Sequence, residues 1–318
     1  MDRTAWNQFV LEHGPRSGRF LQSWEWGEFQ KAVGEQVRRE EIVVAAETRG
    51  VAQCLDRQAT AFVHYSYCPK GPVVGKGIGG LEGLGERKGT MFLRIEPDES
   101  SSVGRAVKSI DLSPSHTRIT ELSATDDELL AYMHPKTRYN IRVAQKNRVN
   151  VDLIGGHFAS AWKLFEQTAS RGQFRLHPRG YYEAMLAQLT GDCRAFLATA
   201  SHEGQLLAAN IMIDFGSTRT YLHGASSSQH RGFMAPYLLH WELLRDAREQ
   251  GMSSYDWWGV APVDAPQSHP WAGISRFKRG FPGEEYASPG TYDVVLQPRR
   301  YRFYQCVRSL LRIARRFL

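Results

Sequence analysis

The chain has 318 residues, 42% hydrophobic and 23% charged, which suits a globular protein with room for two cores and excludes a disordered or fibrous one. The longest apolar stretches fall short of the ~18–20 residues that cross a bilayer, and the opening MDRTAWNQFVLEHG has no apolar core of a secretory signal. The net charge of +7 is local: Arg299 to Leu318 holds seven arginines and no acid, so the rest of the chain is balanced.

In chain order, FLQSWEWGEFQKAVG (20–34) predicts a short helix with Ser23 as N-cap and Trp26, Phe29 and Val33 at helical spacing. Strands are predicted at Val37–Glu47, Gly50–Arg57 and Thr60–Tyr67, then a rigid loop at Tyr67–Val73 set by two prolines and a glycine. Residues 74–90 hold seven glycines, but GKGIGGLEG lacks the GxxxxGK[ST] spacing of a phosphate loop. A strand follows at Thr90–Ile95. Helices are predicted after Asp126-Asp127, over Lys136 to about Asn147, over 158–170 and over 180–190. A hairpin (Arg194–Ser201, Gln205–Phe215) turns at His202-Glu203-Gly204. The strand Thr218–Ala225, a helix Pro236–Gln250 closed by Gly251, and the strand Ser254–Trp258 complete the core. The order of strands, helix and strand after an initial helix occurs in 20–120 and again in 158–260, which suggests two related α/β halves.

Three cationic constellations stand out. In KTRYNIRVAQK, Arg138, Arg142 and Lys146 share one helix face with no acid between them; this is either a ridge for RNA or diphosphate phosphates or a solvated face. RGQFRLHPRGYY (171–182) crowds three arginines, a histidine and two tyrosines together, either as a phosphate or carboxylate site or as an ordinary interhelical loop. SRFKRGF (275–281) sets a glycine between aromatics and cations. It is read either as a site where Gly280 lets backbone approach a ligand, Phe277 stacks and Lys278 neutralises developing negative charge, or as a β-turn with exposed charges. Residues 226–250, leading to the strand YDWWGV, resemble the central strand–loop–helix unit of a GNAT-type acetyltransferase, yet the loop Arg231–Pro236 offers few free N–H donors for a CoA diphosphate. No nucleophile elbow, HExxH or metal-spaced cluster occurs, and the cysteines Cys54, Cys68, Cys193 and Cys306 form no CxxC pair. No metal or cofactor is expected, and a reducing, cytoplasmic setting fits.

Together, FLQSWEWGEFQ, YCPKGPV, KTRYNIRVAQK, Asp256-Trp257-Trp258-Gly259 and RFKRGFPGEEYASPGTYDV resemble, in order, the FemABX family of peptidoglycan aminoacyltransferases over about residues 20–298. The resemblance implies an α/β (α+β) fold of tandem GNAT-like domains. The first would span 1–125, completed by about 290–318, and the second 126–289, with a substrate groove between or beside them. No charged heptad run supplies the family's coiled-coil arm. The donor would be an aminoacyl-tRNA, with no cofactor. The acceptor would be the stem peptide of lipid II or UDP-MurNAc-pentapeptide, and the enzyme would be a monomer.

By position, Lys278 matches the family lysine linked to the reacting ester, with Phe277 beside it. Substrate contacts would fall at Trp26, Lys31, Lys70, Arg175, His177, Arg179, Tyr181, Asp256 and Gly280, and tRNA phosphates at Arg138, Arg142 and Lys146. This chain departs from the family in three places. Gln30 stands where a lysine is usual, Gly75 where many members have an acid, and His177 where an arginine contacts the diphosphate. As a helix, the tail aligns Phe303, Val307, Leu310, Ala314 and Phe317, with Arg308, Arg312, Arg315 and Arg316 off that stripe. It is read either as a basic amphipathic helix on anionic lipid or as a helix docked on the first domain. Two other readings of the chain stay open: a GNAT-like acyltransferase with another donor or acceptor, and a non-catalytic RNA- or membrane-binding module.

Overall fold

A computed structural model gives the arrangement of residues 1–60, 63–75, 84, 89–98 and 106–314, with side chains described as far as 308. The glycine-rich GKGIGGLEG run lies almost wholly outside the described residues. The chain divides into two compact units: residues 1–115 with 288–318, and residues 116–287.

The first unit begins with α1 (Arg3–His13), a 3-10 turn (Arg19–Gln22) and α2 (Trp24–Ala32). Its sheet contains β1 (Gln36–Val44), β2 (Glu47–Thr60), β3 (Val63–Cys68), β4 (Val73–Val74), β5 (Phe92–Ile95) and β6 (Val107–Lys108), in the order β1-β2-β3-β5, then a strand from the far end of the chain, then β6. Ser23 caps α2 through the Trp26 N–H, as its residue type predicts. The opening segment is fixed by one buried amide. Gln22 donates to Gln53 O (3.1 Å) and Pro69 O (2.6 Å) and accepts from Gln53 N (2.8 Å). Gly27 has no room for a side chain, because a Cβ there would run into Gln53 and Arg39.

The second unit opens with β7 (His116–Glu121), α3 (Asp126–Tyr132), α4 (Pro135–Lys146) and β8 (Asn150–Asp152). Then come α5 (Phe158–Gly172), α6 (Arg179–Gln188), β9 (Cys193–His202), β10 (Gln205–Phe215), β11 (Thr218–Ser226), α7 (Ala235–Glu249), β12 (Ser254–Gly259), α8 (Ala272–Lys278) and β13 (Glu284–Ala287). The sheet order is β13-β7-β12-β11-β10-β9-β8. The boundary falls before β7, earlier than residue 125, because β7 pairs with β12 and β13. Gly251, at φ +76°, follows α7 as a glycine should. The repeated element order is only partial: in the first sheet β3 runs parallel to β5 with no helix between them among the described residues.

The chain then returns to the first sheet as β14 (Tyr292–Val295), between β5 and β6, and ends in α9 (Pro298–Ala314). The return is fastened by a buried ion pair. Arg94 forks onto Asp293 at 2.7 and 2.9 Å, and Tyr301 of α9 donates to the same carboxylate at 2.8 Å. The longest helix among the described residues is α9, at 17 residues; none is long and apolar enough to cross a membrane, and none forms an arm.

Removing one partner of such a pair strands a buried charge. Asp293→Ala is expected to lower stability by about 3–5 kcal/mol in urea unfolding, whereas Arg94→Met with Asp293→Leu recovers most of the loss. Equal loss in both variants would show that the pair itself supplies the stability.

Candidate active site

The second sheet parts at its centre. Strands β11 and β12 are parallel partners at Thr218↔Ser254, Arg219↔Tyr255 and Thr220↔Asp256, and at no later position. Beyond that point β11 stays with β10. Strand β12 turns away through an irregularity between Asp256 and Gly259. Trp258 sits there at φ +58°, a left-handed conformation that costs a non-glycine residue on the order of 1 kcal/mol or more. The bend is held by Asp256, which is fully buried. Its Oδ1 accepts from Trp258 N (2.8 Å) and lies 2.5 Å from the Thr117 hydroxyl on β7.

Lys278 occupies the place where the strands part. Its side chain is only 5% exposed, its Nζ donates to Gly259 O at 2.8 Å, and it lies 5.1 Å from the centre of the Tyr221 ring on β11. Burial pulls its pKa from 10.5 down to about 7, against the opposing pull of Asp256. His240 of α7 lies behind. Asn210 donates to its Nε2 (3.2 Å), the Tyr255 hydroxyl is 2.8 Å from its Nδ1, and its ring is 5.4 Å from that of Phe277. Burial, and then the charge of Lys278, keep this imidazole neutral by holding its pKa well below the ordinary value.

The SRFKRGF stretch is therefore the end of α8 as far as Lys278, with the turn confined to Arg279-Gly280. Ser275 anchors it, donating to Trp271 O and accepting from Ala261 N, both at 2.7 Å. Gly280 serves packing: its carbonyl accepts from His134 N (2.9 Å), and a Cβ would strike Thr137. Phe277 packs edge-on against Tyr237 (5.0 Å) and lines a cavity of about 570 Å³ together with Pro262, Val263, Pro266 and Ala272. Lys136 and Arg276 stand at this cavity, both exposed and without a side-chain partner among the described residues. Arg279 also lines it but is engaged by Glu285 (2.9 Å) and Ala261 O (2.6 Å). A larger cavity, about 850 Å³, lies in the first unit, but its charges are spent on one another: Arg57 on Glu35 (3.2 Å), and Asp56 on Ser66 (2.6 Å) and Arg38 (3.4 Å).

The Arg175–Tyr182 cluster lies on the other face of the sheet from Lys278. His177 stacks on Tyr181 (4.0 Å), and Tyr182 packs edge-on against His223; a register shift in β11 sets His223 opposite Ile211 and Tyr221 opposite Met212, so the two side chains leave opposite faces. Burial and the neighbouring His177 hold His223 down to a pKa of about 3. Arg175 is exposed, and Arg179 pairs with Glu183 at 2.8 Å.

Other expected contacts take structural posts. Trp26 is 6% exposed, wedged between Phe20 and Phe29 at 5.1 Å from each. Lys31 pairs with Glu28 (2.8 Å) on its own helix. Lys70 is buried and donates to Pro114 O (2.6 Å). Its loop hangs on Glu96, a buried carboxylate that accepts from Lys70 N, the Tyr67 hydroxyl, Ser113 N and Thr291 Oγ1 at 2.8–3.1 Å. Arg138 caps α3 through Leu130 O and Ala131 O (3.1 Å each) and Met133 O. The helix ridge is thereby reduced to the exposed Arg142 and Lys146.

Sequence reasoning passed over Tyr221, Tyr237 and His240. The signal for His240 was its place on the apolar face of α7, among Leu239, Leu243 and Leu244.

The parting of parallel strands around a helix–strand unit defines a GNAT-like acyltransferase fold. Structural comparison agrees. The crystal structure of FemX matches with a TM-score of 0.80 at 19% identity, over 95% of this chain and 98% of that one. A tandem GNAT protein from the clavulanic acid biosynthesis pathway matches at 0.54 and 12%, over 92% and 94%. The FemAB family model matches residues 109–203 and 186–309. The lipid II:glycine glycyltransferases of Staphylococcus aureus (strain COL) and Staphylococcus epidermidis are 21% and 22% identical, over 95% of this chain and 94% of theirs. The chain belongs to the FemAB family, and it is an acyltransferase.

The position of Lys278 makes stability depend on pH. Between about pH 7 and 10.5 the unfolded chain holds a proton at Lys278 that the folded chain has shed, so rising pH removes a penalty that is fully felt below about 7. The melting temperature of the parent is therefore expected to rise relative to Lys278→Met from pH 7 to 10. Parallel curves for the two proteins would contradict the burial.

Proposed function

We propose that this protein transfers an amino acid from an aminoacyl-tRNA to the stem-peptide amine of a lipid-linked peptidoglycan precursor. The observation that carries the proposal is the buried Lys278 amine at the parted strands, next to an aromatic cavity with two unengaged cations. An aminoacyl ester is already activated, so the transfer needs alignment, stabilisation of the oxyanion and release of a proton, but no protein nucleophile. In this mechanism the Lys278 ammonium faces the oxygen of the ester carbonyl as the acceptor amine attacks. Charge developing on that oxygen replaces missing solvation around a lysine that is costly to keep charged in the free protein. His240, Asn210 and Tyr255 position the Phe277–Lys278 end of α8 from behind.

The cavity beside Phe277 suits the end of the donor. Phe277 and Tyr237 offer faces for a base, and Lys136 and Arg276 offer charge for phosphates. A CoA donor fits poorly. At the start of α7 the N–H groups of Phe233, Met234 and Tyr237 are already taken by His230, Arg231 and Met234 carbonyls, and Pro236 has none. The relatives named for transfer of glycine to lipid II support the acceptor class.

The test is transfer from tRNA charged with radiolabelled glycine, alanine or serine, offered with lipid II and separately with UDP-MurNAc-pentapeptide. Label is expected on lipid II with at least one donor; none with any combination would refute the proposal. Lys278→Met is expected to lower kcat by about 10²–10³. Lys136→Glu and Arg276→Glu are expected to raise the KM for the charged tRNA while leaving kcat nearly unchanged.

A further inference from the structure

We propose that the outer face of α9 is a docking surface for an anionic phospholipid membrane, formed by Arg299, Arg302, Phe303 and Val307. Helix α9 has two separate apolar faces. One is already used: Tyr301 is 4% exposed, and its ring and that of Tyr304 lie 5.3 and 5.6 Å from Phe92. Arg308 follows on this docked side at helical spacing and is half-buried, so it is not among the outward cations.

The other face carries Phe303, 73% exposed, and Val307, 39% exposed. Docking of the helix on its own sheet therefore leaves Phe303 and Val307 open. Arg299 and Arg302 flank it, exposed and without a side-chain partner among the described residues. The sequence continues the stripe with Leu310, Ala314 and Phe317 and adds Arg312, Arg315 and Arg316, with no acid after Asp293. The side chains of Leu310, Arg312 and Ala314, and Arg315, Arg316 and Phe317 entirely, lie outside the described residues.

The occupant follows from this chemistry. Paired apolar side chains gain by entering the acyl boundary, and arginines beside them meet lipid phosphates. An RNA would use the arginines but gain nothing from Val307, and a second copy of the chain would bring the same positive face to the contact. The proposal stands apart from the transferase reading, since it involves neither substrate.

The test is co-sedimentation of the full chain with vesicles of phosphatidylglycerol and phosphatidylcholine, and with phosphatidylcholine alone. Binding to the anionic vesicles only is expected, weakened by salt. Phe303→Asp with Val307→Asp, and separately Arg299→Glu with Arg302→Glu, are each expected to cut the partition coefficient about tenfold or more. Both pairs are solvent-facing, so the melting temperature and the circular dichroism spectrum should hold, which separates loss of docking from loss of fold. Equal binding by parent and variants, or equal binding to neutral vesicles, would overturn the proposal. So would a dimer of the parent that Phe303→Asp dissolves without changing vesicle binding.

Discussion

The site depends on the separation of two parallel strands. For three residue pairs β11 and β12 form an ordinary parallel ladder, and then β12 bends away at Trp258. Past the bend β12 no longer pairs with β11, and Gly259 O accepts from the lysine. The bend requires a fully buried carboxylate, Asp256, to satisfy Trp258 N and to lie against Thr117. The same carboxylate is the charge that keeps Lys278 from losing its proton more readily still. One residue thus shapes the strand and tunes the lysine, and a change at Asp256 acts through both.

The many cations of this chain divide by what they touch. Arg94, Arg138, Arg219 and Lys70 hold structure together. Arg219 is fully buried and bonded to Asp214 at 2.8 and 2.9 Å, to Asp246 and to Leu243 O. Each of these charges would be costly to bury alone and is met by carboxylates or carbonyls. The cations left over are informative because nothing in their surroundings explains them. Lys136 and Arg276 stand at the aromatic cavity, and Arg299 and Arg302 beside an exposed apolar stripe. Density of arginine in the sequence did not separate the two groups. KTRYNIRVAQK reads as one ridge, but its first arginine is consumed by the helix before it.

Local signals were legible where the responsible atoms are neighbours in the chain. Ser23 as cap, Gly251 after α7 and the turn at Glu203-Gly204 are each decided within a few residues. The family's fold was legible because five ordered segments carry it together. What could not be read were features made by distant partners. Trp26 reads as a substrate contact only through the family resemblance of its helix; its burial follows from Phe20 and Phe29. RFKRGF looked like a turn because of its glycine, yet Ser275 extends the helix by bonding Trp271 and Ala261. The tail reads as either docked or lipid-facing; α9 is docked by Tyr301 and Tyr304, while Phe303 and Val307 of the predicted stripe are exposed. His240 was invisible as a functional neighbour because its partners, Asn210, Tyr255 and Phe277, come from three other elements.

Under the proposed mechanism Lys278, whose pKa burial pulls down to about 7, is held in its charged form by the transition state. The pH dependence of kcat/KM for aminoacyl transfer, measured for the parent and for Lys278→Arg, tests this directly. The account predicts a falling limb near pH 7 in the parent, where the free protein loses the Lys278 proton, and no such limb in Lys278→Arg, whose lower activity keeps its charge throughout. A parent profile that rises smoothly through pH 7–9 and parallels that of the arginine variant would contradict it.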